Sequence, residues 1–482
     1  MRTILRDELK LLVDKSVYDR LEKDEYLVRR VNPHSLVSAL RLDHGFKLLY
    51  LDNLENSPGY ADDIYNIEIS AQTKYKMVDP DNVKINNFIK FKRKYARLAN
   101  SIDENGFDPG TSLIPLSRDN MPINGSHRVS LAIKKKMQVD VVLTELPSMK
   151  IDFRIYNDRK VPETSIEAAS YRLLQEMDDV YCAILWPSGK SKWVESSSLF
   201  SNVLYEKTVS LSDIGRLNVL WLCYQHMDWI GDPTDNYYGL KKKIFECFNP
   251  NGDIKFIFFQ SESLEKVRCI KAKIRDMCNI GFSAVHITDN FNETMLLADF
   301  LLQPKVNVLL NCSNLQTLDY LNWIEELHDR LRFLEKDRLI VVGGKVLELY
   351  GLRKASDLDV LYLGEEKPSG EIDLHNTYYL KQGLCVNDIV HLPKNFTTLS
   401  GIKFINIDQL MEFKKRRGEL KDIIDSGNYE KMVGHTKQRI FDVLRKHKVE
   451  MHFRLLSYRS RIIDILTILR LIKFVKLMFG RR

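Results

Sequence analysis

The run Leu339-Ile-Val-Val-Gly-Gly-Lys-Val-Leu-Glu-Leu-Tyr-Gly-Leu-Arg-Lys-Ala-Ser-Asp-Leu-Asp-Val-Leu-Tyr-Leu363 decides how the C-terminal third folds. An apolar strand ends at Gly343-Gly344, and a second apolar strand carries Asp357 and Asp359. Strand side chains two apart share a face, so the two carboxylates aim at one point, where they can hold a divalent cation. The glycines let backbone N–H groups approach an anion, and Lys345 to Tyr350 reads as a helix whose N-terminus faces it. Together these make a site for a metal-bound nucleotide. The plainer reading is an ordinary strand-to-helix turn beside a solvated acidic edge strand.

This order resembles the polymerase-β-type nucleotidyltransferases, whose signature is Gly-Gly or Gly-Ser, a helix, then a strand reading apolar-Asp-apolar-Asp-apolar. Twelve residues separate Gly344 from Asp357, which suits one short helix and a turn. The resemblance implies Mg2+ on Asp357 and Asp359, a nucleoside triphosphate resting on Gly343, Gly344 and Lys345, and a third catalytic carboxylate from a later strand. Gly344 stands where the family often has a phosphate-touching serine, so only backbone contacts are available there. For the third acid, Asp373 in Glu371-Ile-Asp-Leu-His375 repeats the alternation of the first acidic strand, and Asp388 in Val386-Asn-Asp-Ile-Val390 is the alternative. The alternation favours Asp373. Lys414, Arg417 and Lys421, three and four apart within Gln409 to Ile424, put three cations on one helix face. That helix resembles the one closing the family's domain, and reads equally as a solvated face paired with Glu412 and Glu419.

The N-terminal third holds a second constellation. Ile85, Phe88, Ile89, Tyr95, Leu98 and Ile102 recur at helical spacing up to Asn105-Gly106. Short strands follow at Ser112 to Leu116 and Met121 to Ile123, then Asn124-Gly-Ser-His-Arg128, a helix to about Met137 and a strand over Val139 to Leu143. A helix opening with Gly125, Ser126, His127 and Arg128 suits an oxyanion, because N–H groups, a hydroxyl and a guanidinium converge on its start. Residues 78–145 resemble the ParB/sulfiredoxin superfamily, which implies a phosphate or nucleotide pocket at those four residues. Ser126 stands where sulfiredoxins have cysteine, which excludes peroxiredoxin repair, and His127 with Arg128 matches the partition proteins only in part. Capping of a structural turn is the other role open to His127 and Arg128.

At 482 residues the chain should hold about three domains. With 44% hydrophobic and 28% charged residues it can bury a large core, and global disorder is excluded. Net charge is 72 − 65 = +7, and Arg454 to Arg482 alone carries eight basic residues and one Asp, 8 − 1 = +7. The remainder is neutral, which argues against a broad nucleic-acid surface. Seven cysteines without a Cys-x-x-Cys pair argue against a zinc site or disulfide framework, and the Met1 to Glu8 start has no apolar leader, so the expected location is cytoplasmic.

The middle third reads as alternating strands and helices: strands at Val180 to Trp186, Ile254 to Phe259 and Val306 to Leu310, and a helix from Leu264 to Cys278. His286, Asp289 and Glu293 form a candidate polar cluster, although Asn290 with Glu293 three residues on has the spacing of a helix cap. Lys271, Lys273 and Arg275 read as a solvated helix face. In the tail, Arg470, Lys473 and Lys476 fall within an arc of roughly 120° opposite an apolar face, an amphipathic helix suited to an anionic membrane surface or a partner groove.

The expectation is an α+β multidomain enzyme: a ParB/sulfiredoxin-like domain over 1–150, an α/β domain over 151–334, a nucleotidyltransferase domain over 335–430 and a basic helical tail over 431–482. It uses Mg2+ and a nucleoside triphosphate, acts on a small phosphorylated or hydroxylated acceptor, and associates peripherally with the inner face of a membrane. The tail suggests surface-polysaccharide synthesis by association only. The rival readings are a phosphotransferase centred on Gly125 to Arg128 and a non-enzymatic nucleotide sensor.

Overall fold

A computed structural model describes residues 2–303, 306–366 and 371–434. They divide into two compact units, one running to Met177 and the other starting at Asp178. Both are mixed α and β.

In the first unit, β1 (Arg2–Leu5), β2 (Glu25–Val31), β3 (Ile114–Leu116) and β4 (Val139–Leu143) form a sheet of order β1-β2-β4-β3. Only the β3–β4 pair is parallel. Around it lie α1 (Asp43–Asn53), α2 (Pro58–Gln72), α3 (Phe88–Asn105), α4 (Ser126–Lys135) and α5 (Glu163–Leu174). The α3 helix forms as its periodicity requires: it buries Phe91, Tyr95 and Ile102 and ends at Gly106, whose φ of 71° only glycine adopts readily. α5 belongs to this unit, so the unit runs past residue 150. Gly45 on α1 lies so close to α5 that a Cβ there would sit 2.2 Å from the Ala169 carbonyl oxygen. Arg172 on α5 reaches Asp52 on α1 at 2.5 Å.

This unit also buries charge. Arg41 makes two hydrogen bonds to Asp43, at 2.9 and 2.8 Å, and Lys47 meets Glu68 at 2.6 Å. None of the four is more than 2% exposed. Burial pushes the Glu68 carboxyl up to about 7 even against Lys47. Such pairs gain little net energy over apolar packing, but breaking one leaves an uncompensated buried charge.

The second unit holds two sheets. The first, β6-β7-β5-β8, comprises β5 (Val180–Leu185), β6 (Asn202–Val209), β7 (Ile254–Gln260) and β8 (Val285–Ile287). Every pairing in it is antiparallel, which makes the region α+β where the alternation of strands and helices suggested an α/β unit. Its helices include α6 (Leu264–Cys278), α7 (Phe291–Leu301), α8 (Val306–Cys312) and α9 (Tyr320–Leu331). The expected strand at Val306 to Leu310 is therefore a helix. Val306, Leu309 and Leu310, at helical spacing, are its buried residues.

The second sheet, β11-β10-β9-β13-β12, is built from β9 (Leu339–Val342), β10 (Leu358–Tyr362), β11 (Ile372–Leu374), β12 (Phe396–Leu399) and β13 (Ile402–Ile405). Between β9 and β10 runs α10 (Gly343–Leu349), and after β11 come α11 (Val386–His391), α12 (Ile407–Arg417) and α13 (Leu420–Gly434). Polar contacts tie the two sheets together: Asp299 on α7 accepts from the Ser400 N–H at 2.6 Å, and Gln303 from the Thr398 N–H at 3.0 Å. Residues 178–334 and 335–434 thus share one compact unit.

The helix expected over Gln409 to Ile424 is two helices. Gly418, at φ 70°, ends α12, so Lys421 does not share a face with Lys414 and Arg417. Lys414 is 3% exposed and lies 2.9 Å from Asp422 and 2.8 Å from Asp425. Arg417 donates twice to Asp422, at 2.7 Å each. These cations lock α12 to α13 instead of forming a solvated face. The basic tail lies outside the described residues, and no described helix is long and apolar enough to cross a membrane.

Burial alone would raise the Asp422 carboxyl, but hydrogen bonds from Arg417 and Lys414 outweigh it and hold it at about 2. A carboxyl held below its ordinary 3.8 stabilises the fold above that pH, and the stabilisation disappears as pH falls through about 2. Asp422→Asn should therefore be less stable than the native protein near neutrality, with the gap closing between about pH 4 and pH 2. Urea unfolding across that range reads it directly, and a gap independent of pH would contradict the assignment.

Candidate active site

The site is organised by the register of three strands. Asp359 on β10 pairs with Val342 on antiparallel β9 and with Asp373 on parallel β11. In-register residues on neighbouring strands share a face, and Asp357, just ahead of β10, lines one cleft with Asp373. Three carboxylates therefore face one side of the sheet edge. Like charges directly opposite one another destabilise a sheet, so the arrangement is costly without a cation above it.

The glycine pair belongs to the same construction. Gly343 has φ 63°, and a Cβ there would lie 1.8 Å from Asp359 Oδ2. A Cβ on Gly344 would meet the Ala355 Cβ at 2.7 Å, and the Gly344 N–H donates to Asp359 Oδ2 at 3.3 Å. The acidic strand thus packs directly on the turn, and Asp359 takes a backbone donor that the sequence assigns to phosphate. Lys345, expected beside the phosphates, is 6% exposed and donates to Glu348 at 2.8 Å and the Ala355 carbonyl at 2.9 Å. It anchors α10 to the loop before β10.

Asp388 sits on α11, not on a strand, so the sheet aligns Asp373 and not Asp388 with the first two acids. His375 Nε2 lies 3.2 Å from Asp359 Oδ1, with its ring edge-on to Tyr378 at 5.0 Å. Burial lowers the imidazole pKa, opposed by Asp359 and Asp373. Asp357 accepts from the Ser356 hydroxyl at 2.8 Å. Asp357, Asp373, Ser356, Glu371, Glu326 and Arg330 line an open cleft of about 400 Å3. His375 was legible, two residues beyond Asp373 on the same strand period. Arg330 and Glu326 were not, because they come from α9 and no local pattern links them to the acidic strand.

Among the described residues no three His, Cys, Asp or Glu side chains converge, as placed, on one ion position. Mg2+ does not require such a cage: it commonly keeps waters and binds one or two carboxylates together with substrate phosphates. Hard carboxylate oxygens on one strand face suit that ion in chemistry and number.

In the first unit, Gly125 opens α4 at φ 92°, and no side chain caps the helix. Arg128 turns inward: it donates to the Leu113 carbonyl at 2.8 Å and to the Ser112 hydroxyl, with Asp14 at 3.7 Å. His127 Nε2 lies 2.9 Å from the Tyr65 hydroxyl, and its ring meets Tyr95 edge-on at 4.4 Å. Ser126 is 9% exposed. The four residues remain adjacent, but Arg128 braces the segment ahead of β3 instead of fronting a pocket. In the second unit, Asn290 accepts from the Glu293 N–H at 2.9 Å, and Glu293 accepts from the Asp289 N–H at 2.9 Å. That is a helix cap, with His286 buried against Tyr224. Lys271 donates to the Ile287 carbonyl at 2.9 Å.

No family model, curated protein or solved structure matches the chain.

Gly343→Ala should lower the unfolding free energy by at least about 1 kcal/mol, because alanine is strained at positive φ and its methyl displaces Asp359. Chemical denaturation measures this. An alanine variant as stable as the native protein would show that the turn does not hold the acidic strand as described.

Proposed function

We propose that the C-terminal part of the second unit is a nucleotidyltransferase centre, which transfers a nucleotidyl group from a nucleoside triphosphate to a small phosphorylated or hydroxylated acceptor. The observation that carries this reading is the alignment of Asp359 with Asp373 across β10 and β11, with Asp357 on the same face and the Gly343 turn packed on Asp359. A structural acidic edge has no need of a third carboxylate in register.

Asp357 and Asp359 are the residues that would hold Mg2+, which when bound neutralises charge on the phosphates. Asp373 lies where it can orient the acceptor hydroxyl or phosphate oxygen and take its proton. The acceptor oxygen then bonds to the α-phosphorus, and the bond to the pyrophosphate oxygen breaks. At the Gly343 turn the Asp359 carboxylate fills the space a side chain would occupy and takes the Gly344 N–H, so a phosphate there would be held through the Mg2+ that the acids would bind. His375 Nε2 lies within hydrogen-bonding distance of Asp359 and can orient that carboxylate. In its order of glycine pair, helix and acidic strand the same centre resembles the polymerase-β type. For the first unit, the ParB/sulfiredoxin resemblance is the ground for reading a phosphate or nucleotide pocket at Gly125 to Arg128, with Arg128 as a brace.

The test is Mg2+-dependent pyrophosphate release from each of the four common nucleoside triphosphates, with panels of sugars, polyols and their phosphates as acceptors. Asp359→Asn and Asp373→Asn should each reduce turnover by roughly a hundredfold or more while leaving the melting profile native-like. Full turnover in either variant would remove this cleft from the chemistry. Diphosphate release that survives both variants would move catalysis to another site.

A further inference from the structure

Among the described residues the acidic cleft has one cation, and it comes from outside the strand-turn-helix motif. Of the six side chains lining the cleft, Arg330 alone is basic. It stands on the last turn of α9, where Nη2 donates to the Glu371 carbonyl at 2.7 Å and Nη1 lies 3.7 Å from Glu326. Its Nε is enclosed and has no hydrogen-bond partner. A guanidinium carries five N–H donors in a rigid plane, and with Nε enclosed it is Nη1, ion-paired to Glu326 without a hydrogen bond, that keeps donors to offer in this cleft.

Sheet order gives this position a meaning. β9 and the Gly343 turn flank β10 on one side, and β11, whose preceding residue Glu371 holds Arg330, flanks it on the other. If the triphosphate rests at the glycine turn, Arg330 stands at the opposite, acceptor end. Glu326, Glu371, Asp357 and Asp373 make that end strongly repulsive to an anion, and a guanidinium is the group that offsets this with two directed hydrogen bonds to a phosphate.

We propose that Arg330 is the acceptor-binding residue of this cleft and that the acceptor is a phosphate monoester, not a neutral alcohol. This rests on the nucleotidyltransferase reading for the words donor and acceptor, but the phosphate site itself does not. The Nη1–Nη2 edge would grip two phosphate oxygens, with the second N–H of Nη2 left to the Glu371 carbonyl.

The experiment is calorimetric titration of the full chain with inorganic phosphate in excess Mg2+, comparing the native protein, R330Q and R330K, alongside titration with a non-hydrolysable nucleoside triphosphate analogue. R330Q should weaken phosphate binding about tenfold or more. R330K should recover part of the loss, since it restores charge without the planar fork, and nucleotide affinity should move less than twofold. Unchanged phosphate affinity in R330Q overturns the proposal. So does an equal loss of phosphate and nucleotide affinity, which marks Arg330 as a structural latch on β11. Pyrophosphate release with neutral alcohols but not with phosphate monoesters also overturns it and spares the nucleotidyltransferase reading. Arg330-dependent phosphate binding in a protein that never releases pyrophosphate does the reverse.

Discussion

The second unit's site depends on one close contact: the Asp359 carboxylate lies where a side chain on residue 343 would be. This contact forces glycine at the turn, places the start of α10 against β10, and fixes which residue of β10 faces Val342 on β9. With that register set, parallel pairing of β11 brings Asp373 beside Asp359. A slip of one residue in β10 would turn both aspartates to the opposite face. Backbone conformation and chemistry are therefore decided together.

Cations in this protein repeatedly turn inward to hold elements in place. Lys47 is enclosed with Glu68, Arg128 braces the segment before β3, Lys345 fastens the loop ahead of β10, and Lys414 joins α12 to α13. Arg128, Lys345 and Lys414 lie in stretches whose spacing suggests a solvated or ligand-facing charge. Buried pairs of this kind fix geometry more than they add stability, because removing either partner strands a charge. Arg330 differs in that, besides its bond to the Glu371 carbonyl, it borders an open acidic cleft.

The strand, turn, helix and acidic strand of the site were readable in the sequence because period-two alternation and paired glycines are local signals. So was α3, where five of the six apolar residues at helical spacing fall in the helix that ends at Asn105-Gly106, Ile85 lying just ahead of it. What failed was non-local or rested on short apolar runs. Val306 to Leu310 fits strand and helix equally over five residues, and burial on one side decided for helix. Asp388 looked like Asp373 because both sit among apolar residues, and pairing with β10 distinguishes them. The break at Gly418 was legible as a C-cap, but the spacing of Lys414, Arg417 and Lys421 pointed across it. Arg330 could not be found by pattern, since its relation to β11 exists only after the sheet forms.

The central claim is that the acids aligned on β10 and β11 hold a divalent cation together with nucleotide. Titration with Mn2+ followed by electron paramagnetic resonance, with and without nucleoside triphosphate, tests it most directly. The account expects tight Mn2+ binding that strengthens when nucleotide is present and is lost in Asp359→Asn, while the folded spectrum by circular dichroism is unchanged. Nucleotide-dependent Mn2+ binding of equal strength in the native protein and in Asp359→Asn would contradict it.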